Sequence, residues 1–269
     1  MNHIYLAGEF DVAELTFYLF FIFFIGLVIY LNRESRREGY PLEHEQTGVV
    51  ETGKPLTDGT KKVFDLPHGR GVYIPEEVPR DPVNVPGKQA FGAAGAPWVP
   101  TGDAMADGMG PAAWANRAKY PDLTFDGRLR IVPIEDSHDI VIAPNDPTPV
   151  GYSVYGADNK LAGKVSDVWV DQSEHIIRYL EVTTNSGKKV LVPMFVCAVQ
   201  KKDWLGGIMP IVSDQEPLID VTAIRSDQFD AAPTLEKPRE ITRYEEDRVM
   251  AYFGGGYMYA TPERAEPWL

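Results

Sequence analysis

The residues with the widest chemical reach are carboxylates in the second half of the chain: Asp167, Asp171, Glu174 and Glu181, then Glu240, Glu245, Glu246 and Asp247. Taken singly, each reads as a solvated surface acid. Several of them facing a buried interface would instead hand protons along, because a desolvated carboxyl group is pushed toward a neutral pKa, where uptake and release are both easy. Other chemistries find less support. The five histidines (His3, His44, His68, His138, His175) are scattered, with no pair at helical or hairpin spacing, which argues against a zinc site. Cys197 stands alone in an apolar strand pattern and reads as a small core residue rather than a nucleophile. In LPHGRGVYIP, Gly69 and Gly71 flank Arg70. No buried strand precedes them, no helix follows, and no Lys-Ser or Lys-Thr pair completes a phosphate loop. A tight turn entering a short strand at Val72–Ile74 is the better reading. No nucleophile with its base, metal cluster or phosphate cradle is evident.

The elements that must position the acids begin near Gly151, where the sequence becomes strand-like. From Lys164 to Asp171, Val165, Asp167 and Trp169 alternate with Ser166, Val168 and Val170; from Ile177 to Thr184, Leu180 and Val182 alternate with Tyr179, Glu181 and Thr183. Asn185, Ser186 and Gly187 form a hairpin turn into Lys188–Val192, and Ile219–Ile224 adds a strand. The expected result is a small, strongly twisted antiparallel sheet or partly open barrel. YEEDRVMAYF, Tyr244 to Phe253, has acids in its first turn and three glycines behind it, which predicts a short C-terminal helix with a glycine stop.

Ahead of this domain, 32–110 is broken by Pro41, Pro55, Pro67, Pro75, Pro79, Pro82, Pro86, Pro97 and Pro100, leaving no room for a helix of ordinary length. Phe64, Tyr73, Ile74, Phe91, Trp98 and Val99 are anchors that a solvated linker would not carry. An extended arm lying across another protein's surface is preferred over a flexible linker. Residues 111–150 connect it to the domain at 151–269, with one helical turn in PAAWANRAKYPDL.

Val12 to Leu31 is apolar almost throughout, with Glu14 as its one charge. Twenty helical residues at about 1.5 Å each match the roughly 30 Å of a bilayer's hydrocarbon core. A signal peptide would start basic and have a shorter core, whereas this start is acidic (Glu9, Asp11, Glu14). A buried soluble helix would not carry Phe17, Phe20, Phe21, Phe23 and Phe24 all round its surface. Arg33, Arg36 and Arg37 follow the span and no Lys or Arg precedes it, so basic flanks would put 1–11 outside and the bulk of the chain in the cytoplasm. The same arginines suit lipid head groups or a partner at the membrane surface. Tyr18 and Tyr30 suit either the two interfaces or a neighbouring helix.

Composition narrows the classes further. The net charge of −13 argues against a nucleic-acid partner, since phosphate binding needs a basic face. One cysteine excludes an internal disulfide and fits a reducing compartment.

The order of motifs resembles the H subunit of the photosynthetic reaction centre of purple bacteria. The motifs are one N-terminal span, REGYPLE (37–43), LPHGRG (66–71), PTGD (100–103), DGMGPAAW (107–114), AGKVSDVWVD (162–171), RYLEV (178–182), and EED followed by the glycine run and MYA. The resemblance implies a single transmembrane α-helix plus a mostly β cytoplasmic domain with a barrel of the PRC type. It implies a subunit without pigment or catalytic centre that caps the pigment-binding L and M subunits in a photosynthetic inner membrane. Bacteriochlorophyll, bacteriopheophytin, quinones and non-haem iron would belong to partner subunits. Membrane lipids, a light-harvesting antenna and a cytochrome subunit would be further neighbours. The family's second role, helping protons reach the secondary quinone, gives the carboxylates a purpose. By motif, Asp171 and Glu174 match positions on that path, with Arg178 beside them; Glu240 and Glu246 are weaker transfers. Some members carry two histidines in the turn before the equivalent of Pro133, whereas TFDGRLRIVP has Asp126 and Arg128 there, so Asp126 is left as the acceptor at the mouth. From the residues alone, a membrane-anchored PRC-barrel adaptor with an unrelated partner is the alternative, and an enzyme with an unrecognised site comes third.

Overall fold

A computed structural model gives the architecture of residues 11–40, 42, 44, 47, 49, 56, 58–60, 62–74, 85–137, 139–200, 204–205, 209–210 and 217–265. The readings made on 1–10, Pro41, Pro55, Pro75, Pro79, Pro82, His138 and the end of REGYPLE lie outside the described residues. Two compact units are present, 1–83 with 90–97, and 84–89 with 98–269.

In the first unit, helix α1 spans Val12–Ser35. Asp11 caps it, its side chain accepting from the Ala13 amide at 2.8 Å, and Arg33 in the last turn complements the helix dipole. The apolar run therefore continues into a further polar turn. Its large side chains, Ile22 at 68% and Phe23 at 63%, are exposed in the isolated chain, as expected of a surface that faces lipid or a partner. Beyond the helix, Arg37 pairs with Glu34 at 2.9 Å and donates to the Thr60 carbonyl at 3.2 Å, while Lys62 pairs with Glu38 at 2.9 Å. Arg36 lies 4.8 Å over the Tyr40 ring. The glycine-flanked arginine sits in a turn between two short antiparallel strands, β1 (Phe64–Leu66) and β2 (Gly71–Tyr73), not in a phosphate loop.

The second unit opens with a pair, β3 (Gly87–Gln89) and β4 (Trp98–Pro100), and then builds the main sheet. Its strands are β5 (Ile131–Pro133), β6 (Ser153–Gly156), β7 (Leu161–Asp171), β8 (Ile176–Thr184), β9 (Lys189–Pro193) and β10 (Cys197–Gln200). A small pair follows, β11 (Trp204–Leu205) with β12 (Met209–Pro210), and then β13 (Leu218–Val221). The main sheet runs β10-β13-β6-β7-β8-β9, with β5 also on β7. Strand β5 comes from the segment read as a connector.

The ladders are antiparallel as expected, except that β13 lies parallel to β6. The chain completes the β7–β10 excursion before β13 returns to the free edge of β6, and a return of that length need not reverse direction. The strands at the two ends of the sheet, β9 and β10, are joined by the single turn Met194–Val196. Three residues span only about 10 Å, so the sheet must roll until its ends meet, although among the described residues no ladder joins them. This is a partly open barrel.

Strand β7 does not keep the simple alternation read from its sequence. Val165, Val168, Trp169 and Val170 are all buried. The β7–β8 register shifts at Ser166, and again opposite Arg178. Each bulge inserts an extra residue and swings the following side chains to the other face.

Helix α2 covers Arg243–Tyr259, longer than the predicted Tyr244–Phe253. The glycines do not stop it. Gly255 and Gly256 lie inside, where a Cβ would meet Ala112 and the Ala223 carbonyl, so they permit close packing of the helix. Val249, Tyr252 and Phe253 enter the core, and Phe253 meets Phe229 edge-on at 6.1 Å. The N-terminus of α2 is held by a capping box between Thr242 and Glu245, and the backbone carbonyls of Tyr120 and Ala118 accept from the Arg243 and Tyr244 amides.

Candidate functional site

Arg130 and Asp171 form the centre of a cluster that joins acids from distant segments. Residues 122–130 make a hairpin: Leu123 bridges Leu129, and the Arg130 amide donates to the Asp122 carbonyl at 3.0 Å. Strand β5 follows at once and places Ile131 opposite Asp171, the last residue of β7. The Gln172 amide then donates to the Arg130 carbonyl at 2.8 Å, stitching the hairpin to the β7–β8 turn.

Asp171 is completely buried. Its Oδ1 accepts from the amides of Ser173 at 2.9 Å and Glu174 at 3.0 Å, and its Oδ2 from Arg130 Nε at 2.9 Å. The same guanidinium reaches Glu174 at 2.7 Å and Asp122 at 3.3 Å. Burial works against the Arg130 charge, but Asp171, Asp122 and Glu174 outweigh it and raise its pKa further. Arg178 stands at a looser 3.9 Å from Glu174. The cation in direct contact with both Asp171 and Glu174 is Arg130.

Glu246, in the first turn of α2, is the acid that couples to this group by charge. Burial pushes its carboxyl group up to about 7; Arg178, Arg130 and Arg243 oppose the shift, and Asp122 adds to it. Asp122, Asp171, Glu174 and Glu246 carry four carboxyl groups against the three guanidinium groups of Arg130, Arg178 and Arg243.

The remaining predicted residues lie elsewhere. Asp126 is at the exposed hairpin tip, where hydrogen bonds from Thr124 at 2.5 Å and Arg128 at 2.6 Å hold its carboxyl group below the usual range. Glu240 pairs with Lys237 at 3.1 Å in the loop before α2. Glu245 is a helix cap, and Asp247 accepts from the Ala115 amide at 2.6 Å and from Arg117 at 3.1 Å. Asp167 and Glu181 face each other across β7–β8, beside a cleft of about 210 Å³. Burial raises Asp167; it also works against the charge of Glu181, but Lys189 at 2.7 Å and Ser166 at 2.8 Å hold Glu181 low. Arg33, Arg36 and Arg37 belong to the first unit, at the end of α1. Cys197 donates to the Pro193 carbonyl at 3.4 Å, and burial pushes its thiol up to about 12, as befits a packed residue.

Sequence reasoning missed Arg130 and Asp122. Arg130 alternates with Leu129 and Ile131, which marks a strand edge but not which acid it meets. That partner is fixed by the pairing of β5 with β7, some forty residues on.

An apolar spanning helix followed by a rolled sheet and a packed C-terminal helix defines a membrane-anchored subunit with a PRC-type domain. Residues 145–208 match the PRC-barrel domain family. Residues 4–136 match the photosynthetic reaction centre H-chain N-terminal region, and together these matches place the chain in the reaction-centre H-subunit family. It is a subunit of a photosynthetic reaction centre, in which L and M are its partner subunits and the pigments and quinones are carried by other subunits.

Proposed function

We propose that this subunit caps the cytoplasmic face of L and M, steadies the quinone sites and helps deliver protons to the secondary quinone during light-driven electron transport, without a catalytic centre of its own. The observation that carries the proton role is the Arg130 cluster. Four carboxyl groups share three cations, one of them titrates near pH 7, and Glu174 stands half exposed at the edge where solvent protons arrive. Asp126, charged at the hairpin tip, attracts cations toward that edge. Glu240 is a more remote member, since Lys237 already neutralises it.

The span supports an anchor with 1–11 on the periplasmic side and the main domain in the cytoplasm, the arginines after α1 meeting lipid head groups of the photosynthetic inner membrane. The structural role is tested by purification. The detergent-extracted protein from phototrophically grown cells should carry bacteriochlorophyll-containing partners, and a colourless preparation would refute it. The proton role is tested by Asp171→Asn combined with Glu174→Gln. This variant should slow the proton-coupled second reduction of the quinone and leave primary charge separation unchanged; flash kinetics identical to the parent's would overturn the assignment.

A further inference from the structure

We infer that Arg130 is the positioning residue of the carboxylate cluster, with Asp171 its buried anchor and Glu174 its solvent-facing member. The inference rests on the proton-delivery reading above.

A guanidinium presents five donors in a planar fork, and here three of its nitrogens reach three carboxylates from three segments: Asp122 in the hairpin, Asp171 at the end of β7 and Glu174 in the β7–β8 turn. The ammonium group of a lysine could not span them. The backbone of Arg130 is held as well, its amide by Asp122 and its carbonyl by Gln172, so the side chain is committed to this position.

What this does to the acids follows from their partners. The Asp171 side chain accepts from three donors: Arg130 Nε and the amides of Ser173 and Glu174. These three contacts fix both of its oxygens inside the fold. Glu174 differs. Its side chain is 49% exposed, and its two oxygens are divided between Arg130 at 2.7 Å and Arg178 at 3.9 Å. Glu246 approaches from α2 with Arg243, while β8 contributes Arg178 and the buried Tyr179. Arg130 is thus paired with both the buried anchor Asp171 and the half-exposed Glu174.

The test uses complete reaction centres carrying Arg130→Gln. Primary charge separation should be unchanged. The second, proton-coupled reduction should slow about tenfold at pH 7 as Glu174 and Asp122 lose their positions. Its pH profile should move up by about one unit or more, because removing an adjacent cation raises carboxylate pKa values. Arg130→Lys keeps the charge but not the fork, so the rate should fall with the profile unmoved. If complexes with Arg130→Gln do not assemble, this second variant decides, and an unchanged rate overturns the inference. A superimposable pH profile for Arg130→Gln, even with lowered thermal stability, would reduce Arg130 to a structural clamp. If Arg130→Gln has no effect while Asp171→Asn with Glu174→Gln slows the step, only the role of Arg130 is lost. If both leave it unchanged, the delivery reading fails with it.

Discussion

Gly255 of α2 lies so close over Ala112 that a Cβ built on it would sit 2.5 Å from the Ala112 Cβ and 3.0 Å from its Cα. Two effects compete on substitution. Alanine gains about 1 kcal/mol of helix propensity over glycine, while overpacking against a neighbour that cannot yield costs about 1–3 kcal/mol. The neighbour is largely backbone, so overpacking wins. Gly255→Ala should lower stability by about 1 kcal/mol and Gly255→Val by more. At Gly254 the added Cβ meets only the Pro111 carbonyl oxygen at 3.6 Å. Gly254→Ala should therefore raise stability by up to about 1 kcal/mol. Thermal denaturation of the two alanine variants side by side checks the opposite signs.

Gly187 poses the reverse situation. Nothing lies within 4 Å of its added Cβ, but its φ is +86° in the turn joining β8 to β9. A side chain there meets only backbone strain, so Gly187→Ala should cost about 1–2 kcal/mol. Gly187→Asn should cost less, because asparagine tolerates left-handed backbone. Equal losses for the two variants, measured by denaturant unfolding, would show that the turn relaxes.

Glu246 gives the chain a pH dependence. Burial lifts its folded pKa to about 7 from an ordinary 4.5. The folded state therefore binds more protons than the unfolded state between those values, and stability falls as pH rises through that window. The full shift corresponds to at most about 3 kcal/mol, before solvent screening reduces it. Glu246→Gln should match the parent near pH 4 and be the more stable of the two at pH 8. An infrared titration should show a carboxyl band with a midpoint near 7 that the variant lacks; a band that persists would transfer the titration to another acid.

Topology can be read with one added thiol. Cys197 is the sole cysteine, is partly buried and has a thiol pushed up to about 12, so it competes little for a maleimide at neutral pH. Asn2→Cys should be labelled by a membrane-impermeant maleimide from the periplasmic side of spheroplasts. Labelling only after lysis would reverse the orientation derived from Arg33, Arg36 and Arg37.

Much of this protein is local in its causes and therefore legible in its sequence. The spanning helix follows from an uninterrupted apolar run of bilayer length, and strands β7–β9 and their turn follow from alternation and the Asn185–Gly187 signal. The motif order was enough to indicate the family. Tertiary structure decided what depends on approach between distant segments. It carried α2 through its glycines, because Ala112 and Ala223 come too close for side chains. It laid β13 parallel to β6, covered both faces of β7 near its end, and set a bulge at Ser166 that no alternation rule encodes. It also sorted the acids. Glu245 and Asp247 became fasteners of α2, and Asp171 became a buried anchor. Glu246, one residue from each fastener, was left to titrate near neutrality. Sequence supplies every one of these acids with the same intrinsic chemistry. Only the fold fixes how much water, and which cation, each of them keeps.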